Sequence, residues 1–456
     1  MKKSFLIFFI AIFFACDNEI DINEEWSDIP VIYAIFDSGS KVDGDGSDHE
    51  GIIVPQTMWD GTDADEFDSD GDYDDQNDMH LIRIQKSFLG DLRPESYIDV
   101  SDSIYYNSDE LDVWVEIVNV AGQVLDEYPL ELATNSDLES LKDDGAFHSN
   151  SHYLFKLKEE TLDVDKKYRI SVRNTSTGVV ASAETNIVEP ISISSIRSAT
   201  SAYNPSEGNP LNTGLANAIL TFSETGAGNN TIYFPNSPLL NAKMYSVILI
   251  FNYLEQSAED YETDRPFLEI EDPNDVDKLF YPITGVKKKS KKFTLQGEYV
   301  IEDPGGYQMP SINIGPSDFL SRLRNQFVNQ NEGVYRYPLY SFLQESPYVQ
   351  LGGIFHRCID IYITAVNLDF YTYFEAGAPS SNINQERPMY NNVDNGVGHV
   401  SSRSSLVLSN MRIDNASQKE IATSGLTKQI NFACYKESYN FSNSFYVAFG
   451  DDCVTN

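Results

Sequence analysis

Apolar residues in this chain recur mostly with a period of two, the spacing of a half-buried strand. Ile29 to Phe36 is a mostly apolar, β-branched run that ends in Asp37-Ser38-Gly39, which predicts a buried strand meeting a turn. His80 to Phe88 alternates and is predicted as its partner. Leu111 to Val118, Gln123 to Leu132, His152 to Leu157, Lys167 to Val172 and Val179 to Ile187 continue the series. Short strands at this rhythm, with little helical periodicity between them, predict an antiparallel sandwich. Glu189-Pro190 then marks a boundary, because proline has no N–H to give to a ladder.

Leu162 precedes Tyr168 by six residues, and Tyr168 to Val172 alternates as a strand before a turn at Gly178. That spacing is the one found in the tyrosine corner of immunoglobulin-like and fibronectin type III domains, where the tyrosine hydroxyl bonds upstream backbone. The expectation is therefore a mainly β chain. An immunoglobulin/fibronectin III-like sandwich over 28–190 is followed by a second β-rich domain with a few short helices over 191–456.

In the second part, Thr200 to Gly214 is rich in Ser, Asn, Pro and Gly and predicts a linker or long loop. Ala216 to Ser223, Lys243 to Leu254, Phe293 to Ile301 and Ile359 to Ala365 predict strands. The run Lys287-Lys-Lys-Ser-Lys-Lys292 predicts a solvated hairpin turn. Pro316-Ser317-Asp318 opens an amphipathic helix, with Ser317 as cap and Phe319, Leu320, Leu323 and Phe327 on one face. Short helices are also predicted over Leu368 to Phe374 and Ala416 to Ala422. Asn395-Gly396-Val397-Gly398 predicts a tight turn built on positive φ.

The chain opens differently. Lys2 and Lys3 precede an almost wholly apolar run, Ser4 to Ala15, of 12 residues. That is too short to span a bilayer as a helix, and it has the make-up of an export leader. Phe13-Phe14-Ala15-Cys16 resembles a bacterial lipobox, in which Cys16 becomes the lipidated first residue of the mature chain. Asp17, Glu19, Asp21, Glu24 and Glu25 follow with no basic residue among them. This resembles the acidic export signal of surface-displayed lipoproteins. The expectation is a leader over 1–15 and a lipidated acidic tether over 16–27, on the outer face of an outer membrane.

The formal net charge is −38. Losing the leader removes Lys2 and Lys3 and takes it to −40. Such a surface argues against nucleic acid as a partner and against adsorption to an anionic membrane by electrostatics. Much of the charge lies between the first two predicted strands, in an insertion over 38–78: from Asp43 to Asp78 there are 14 acidic residues and no Lys or Arg. Asp68-Ser-Asp70-Gly-Asp72-Tyr-Asp74-Asp75 resembles the acidic calcium repeats of thrombospondin type 3 modules and nominates Asp68, Asp70, Asp72 and Asp75 as calcium ligands. High charge and low hydrophobicity favour the other reading, a solvated loop without a metal.

Besides Cys16 there are Cys358, Cys434 and Cys453. In an exported protein Cys434 and Cys453 are candidates for a disulfide, with Cys358 left over in a strand, although three cysteines allow three single pairings. No spacing is that of a zinc site. The chain contains no nucleophile elbow, no His-Glu-x-x-His helix, no P-loop and no dinucleotide turn. His148 and His152 fall in a predicted loop, where four-residue spacing does not align ligands. The expectation is a protein that is not an enzyme.

Ile363-Thr-Ala-Val-Asn-Leu-Asp-Phe-Tyr-Thr-Tyr-Phe374 is followed by Tyr390-Asn-Asn-Val-Asp-Asn-Gly-Val-Gly398. The pair resembles the strand, aromatic helix and Asn-Gly loop near the end of a Bacteroidota lipoprotein family, domain of unknown function 4249. His399 departs from that pattern, which more often has an apolar residue there. The resemblance implies a lipid-anchored outer-membrane protein whose partner is an outer-membrane protein such as a TonB-dependent receptor. The alternative is a ligand- or glycan-binding lipoprotein in nutrient uptake. Trp26, Trp59 and Trp114 are the only tryptophans available to a sugar platform.

Overall fold

Alternation along Pro30–Asp37 turns Ile32, Ala34 and Phe36 into the core and leaves Tyr33 and Ile35 partly exposed, as side chains on successive strand residues must. The computed structural model describes residues 29–38, 79–87, 105–106, 109–133, 154–158, 162–191, 193–197, 202–203, 219–223, 230–234, 237–263, 267–269, 287–295, 298–299, 301–303, 306–327, 333–338, 356–377, 390–437 and 444–453. The chain is mainly β, with several sheets and few helices.

Pro30–Asp37 pairs antiparallel with Met79–Lys86, which pairs with Leu154–Lys158 and through it with Glu131–Leu132. Facing them is a second sheet in the order Val124–Pro129, Leu111–Val118, Lys167–Asn174, Val180–Asn186. These two sheets have the strand order of an immunoglobulin or fibronectin III sandwich. Between them lie Phe36, Ile82, Val115, Ile170 and Val172, all essentially inaccessible. The Tyr168 hydroxyl accepts the Asp163 N–H at 3.0 Å, next to buried Leu162, which is the tyrosine corner. The predicted single strand Gln123 to Leu132 is two strands, one in each sheet. The break falls at Pro129-Leu130, where the Leu130 side chain is buried and its N–H bonds the Val113 carbonyl.

The first sheet does not end at Pro30–Asp37. On its other side that strand pairs in parallel with the first half of Val397–Ile413, in the register Val31 to Val397 through Asp37 to Arg403. The second half of this 17-residue strand pairs antiparallel with His356–Val366. That strand pairs with Met244–Ser257, and Lys287–Thr294 closes the sheet. One eleven-stranded sheet thus serves two cores. The second core packs Ile359, Ile361, Ile363, Leu249 and Phe251 against Ile232, Ile312 and Ile314 of a smaller four-stranded sheet, and against Phe319, Leu320 and Leu323 of the helix Pro316–Gln326.

Three local expectations are corrected. The basic run is not a turn: Lys287–Thr294 is a strand that pairs with Glu255 through Ile248. Lysines suit an edge strand because their charge resists further pairing while their stems cover apolar surface. Lys289 pairs with Glu255, and the Lys291 ammonium sits 5.0 Å from the Phe327 ring centre. Ser317 is not the helix cap. Gly315 holds that place and Pro316 opens the first turn, which its fixed φ suits. Of the range Ala216 to Ser223 the described residues are 219–223, and among them Ile219–Leu220 alone pairs as strand. Thr221 and Phe222 give their N–H groups to the Asn230 and Ser417 side chains instead.

Candidate functional site

Gly398 explains how the central strand can lie so close to Pro30–Asp37. Its φ is +135°, and a Cβ there would stand 1.9 Å from the Ile32 carbonyl oxygen. Gly396 is tight for a different reason, since a Cβ would press on Val393 and on the Pro30 carbonyl. Asn395 takes the left-handed conformation at φ 52°. The side chains of Asn391 and Asn392 hold the loop: Asn391 accepts the Val393 and Gly398 N–H groups, and Asn392 bonds Val400 in both directions. The loop is a backbone device that aims the next residues.

The residue it aims first is His399, which is 3 % exposed. The ring stacks on Tyr373 at 4.2 Å and meets Phe370 and Tyr390 edge-on. Tyr373 and Phe370 come from the helix Leu368–Gly377, which Asn367 caps by accepting the Phe370 N–H at 3.0 Å. Beside the ring, Asp369 accepts from the Tyr390 hydroxyl at 2.7 Å, and from Thr185 and the Asn367 amide at 3.3 Å each. The cluster thus ties the helix to the sandwich and to the loop before the long strand.

Burial pushes the His399 imidazole down to about 4, against the opposing pull of Asp369, so the ring is neutral at pH 7. Burial, followed by the hydrogen bond to Asp369, holds the Tyr390 phenol far above its usual range. Both groups therefore stay in their neutral forms through the physiological range. His399 Nε2 and Ser401 Oγ, two residues apart on one strand, are buried without a hydrogen-bond partner.

Of the residues singled out from sequence, Cys16 and the tether lie outside the described residues. So do Asp68, Asp70, Asp72 and Asp75, and His148 and His152. Among the described residues no group of three His, Cys, Asp or Glu is placed to hold a metal ion, and no helix is long and apolar enough to cross a membrane. Cys434 and Cys453 are bonded to one another, and Cys358 lies buried outside that disulfide in the strand His356–Val366. The cluster around Asp369 was not visible in the sequence, because Thr185 stands 184 residues away from it. The only local signal was Asn367-Leu-Asp369 at a helix start, a capping pattern. No protein-family model matches the chain, and no curated protein matches it.

Proposed function

We propose that this chain is a lipid-anchored protein of a bacterial outer membrane, displayed at the cell surface, that works as a non-enzymatic accessory by docking on an outer-membrane barrel such as a TonB-dependent transporter. The observation that carries the proposal is Phe13-Phe14-Ala15-Cys16 at the end of a short apolar run, followed at once by acidic residues. The likeness of the Tyr390 to Gly398 segment to the Bacteroidota family supports it. A rigid β scaffold suits such a role, and so does a polar cluster whose carboxylate is held by three donors.

Cys16→Ala is the test. The variant should leave the membrane fraction or accumulate as an unprocessed precursor, and protease added to intact cells should cleave the parent protein. Membrane attachment and mature mass that are unchanged by the substitution would overturn the anchor. Resistance in intact cells, with cleavage after lysis, would overturn surface display.

A further inference from the structure

The outward face of the first sheet carries apolar side chains that stay partly exposed. Tyr33 and Ile35 are 39 % and 38 % exposed, and Leu81 is 36 % exposed. The register places Ile35 beside Leu81 and Tyr33 beside Arg83 on this face. Tyr33 is likewise level with His399 across the parallel pairing. The strip continues over the His399 ring onto Tyr373 and Phe374, which are 43 % and 56 % exposed. Five partly exposed apolar residues thus run across two strands and one helix. A contiguous apolar strip of this kind marks a contact surface rather than scattered surface hydrophobes.

Its position says what it contacts. The helix runs back along the long strand: Asn367, just before it, bonds Ser402, whereas Tyr373 stacks on His399. Its later turns therefore approach Gly396, which packs on the Pro30 carbonyl. Tyr33 lies three residues from Pro30, or about 10 Å along the strand. The strip thus begins beside the point where the chain enters the fold. Between Cys16 and Ile29 the tether can reach at most about 45 Å when fully extended.

The chemistry of the face points the same way. Tyrosine, with an apolar ring and a polar tip, belongs at a membrane–water boundary, with Phe, Leu and Ile beside it. Arg83 stands next to Tyr33 on this face, placed for a lipid phosphate. Among the described residues, Asp37 and Glu131 lie at the margins of the strand part of this face, and exposed Glu375 follows Phe374 in the helix. Asp37 is bonded to Arg403 and Ser405, and Glu131 lies opposite Lys156 at the sheet edge. In a chain with a net charge of −38 this is an unusual composition.

We infer that Tyr33, Ile35, Leu81, Tyr373 and Phe374 form a face that lies on the lipid surface, so that the anchored domain rests flat on its membrane rather than swinging free on the tether. The inference rests on the reading of Cys16 as the anchor. The probe is a vesicle of phosphatidylethanolamine and phosphatidylglycerol that contains brominated lipid, with the full-length mature chain reconstituted in it. With Trp26, Trp59 and Trp114 changed to Phe, Tyr373→Trp should be quenched at least about threefold more than Val120→Trp, a site 88 % exposed in a hairpin turn of the opposite sheet. Adding Tyr33→Ser, Ile35→Ser and Leu81→Ser to Tyr373→Trp should remove most of that quenching while the chain still sediments with the vesicles.

A chain that sediments with vesicles but shows equal or no quenching at the two sites overturns the membrane face alone. A chain that stays in the supernatant overturns the anchor reading with it. A dimer in detergent that Tyr33→Ser dissociates would assign the face to a second copy, and would also overturn the inference.

Discussion

His399 carries the pH dependence expected of this fold at the level of one residue. Unfolded, its imidazole binds a proton below its ordinary value of 6.5, whereas folded it resists protonation down to about 4. Below pH 6.5 the unfolded chain therefore holds a proton that the folded chain does not, and acid favours unfolding. The contribution is fully present above pH 6.5 and is lost as pH drops from 6.5 to 4, the loss reaching roughly 3 kcal/mol at the lower end. His399→Phe keeps an aromatic ring against Tyr373 and removes the orphaned Nε2. Denaturant melts at pH 7 and pH 4.5 should show the variant losing less stability between the two than the parent. An equal loss would place the titration on other groups. His399 is thus a buried neutral ring in the structure.

Among elements, the C-terminal hairpin is held by a covalent tie as well as by packing on the second core. Ala433–Glu437 and Ser444–Phe449 pair antiparallel, and Phe267–Glu269 adds a third strand. The cysteines form a small buried cluster with Ala422 of the helix Asn415–Thr423. Cys434 and Cys453 close a loop with a sequence separation of 19, for which chain entropy in the unfolded state gives about 3 kcal/mol. The double variant Cys434→Ala, Cys453→Ala should lower stability by roughly 2–4 kcal/mol. Non-reducing peptide mapping of the parent should recover the linked pair, and two free thiols would contradict it. At the far end of the large sheet, Lys287–Thr294 is protected in another way. Arg322 and Gln326 of the helix Pro316–Gln326 donate to the Thr294 and Lys292 carbonyls at 2.9 and 3.2 Å. They occupy acceptors that a foreign strand would need.

For the whole molecule, the decisive contact joins the beginning of the described chain to its end. Pro30–Asp37 sits between Met79–Lys86 and Val397–Arg403, and Val400 contributes to the same core as Ile32 and Phe36. Closing a contact between residues more than 360 apart costs chain entropy before it returns any burial. The first sandwich therefore cannot complete its sheet until the last quarter of the chain is available. A chain truncated at residue 390 should leave residues 31–37 unprotected in amide exchange, whereas in the full chain 31–37 and 397–403 should exchange together at the slowest rates. Slow exchange of 31–37 in the truncated chain would show that the parallel pairing adds nothing.

Period-two alternation by itself determined the strands at Met79–Lys86, Leu111–Val118 and Lys167–Asn174, because each buries one face and the pattern records which face that is, whereas the apolar, β-branched run at Pro30–Asp37 marked a strand without recording its buried face. The spacing of Leu162 and Tyr168 determined the corner, since its hydrogen bond is local. Cap chemistry and helical spacing brought out the short helices, although Gly315 rather than Ser317 took the cap once Pro316 fixed the first turn. The Lys287–Lys292 run was misleading for a physical reason: six polar residues carry no alternation, and only the apolar strand Met244–Ser257 beside them supplies a reason to extend. The buried state of His399, the three donors on Asp369 and the parallel insertion of Pro30–Asp37 were decided by tertiary structure alone. Each depends on groups brought together from distant parts of the chain, and no local pattern records which distant partner a strand will meet.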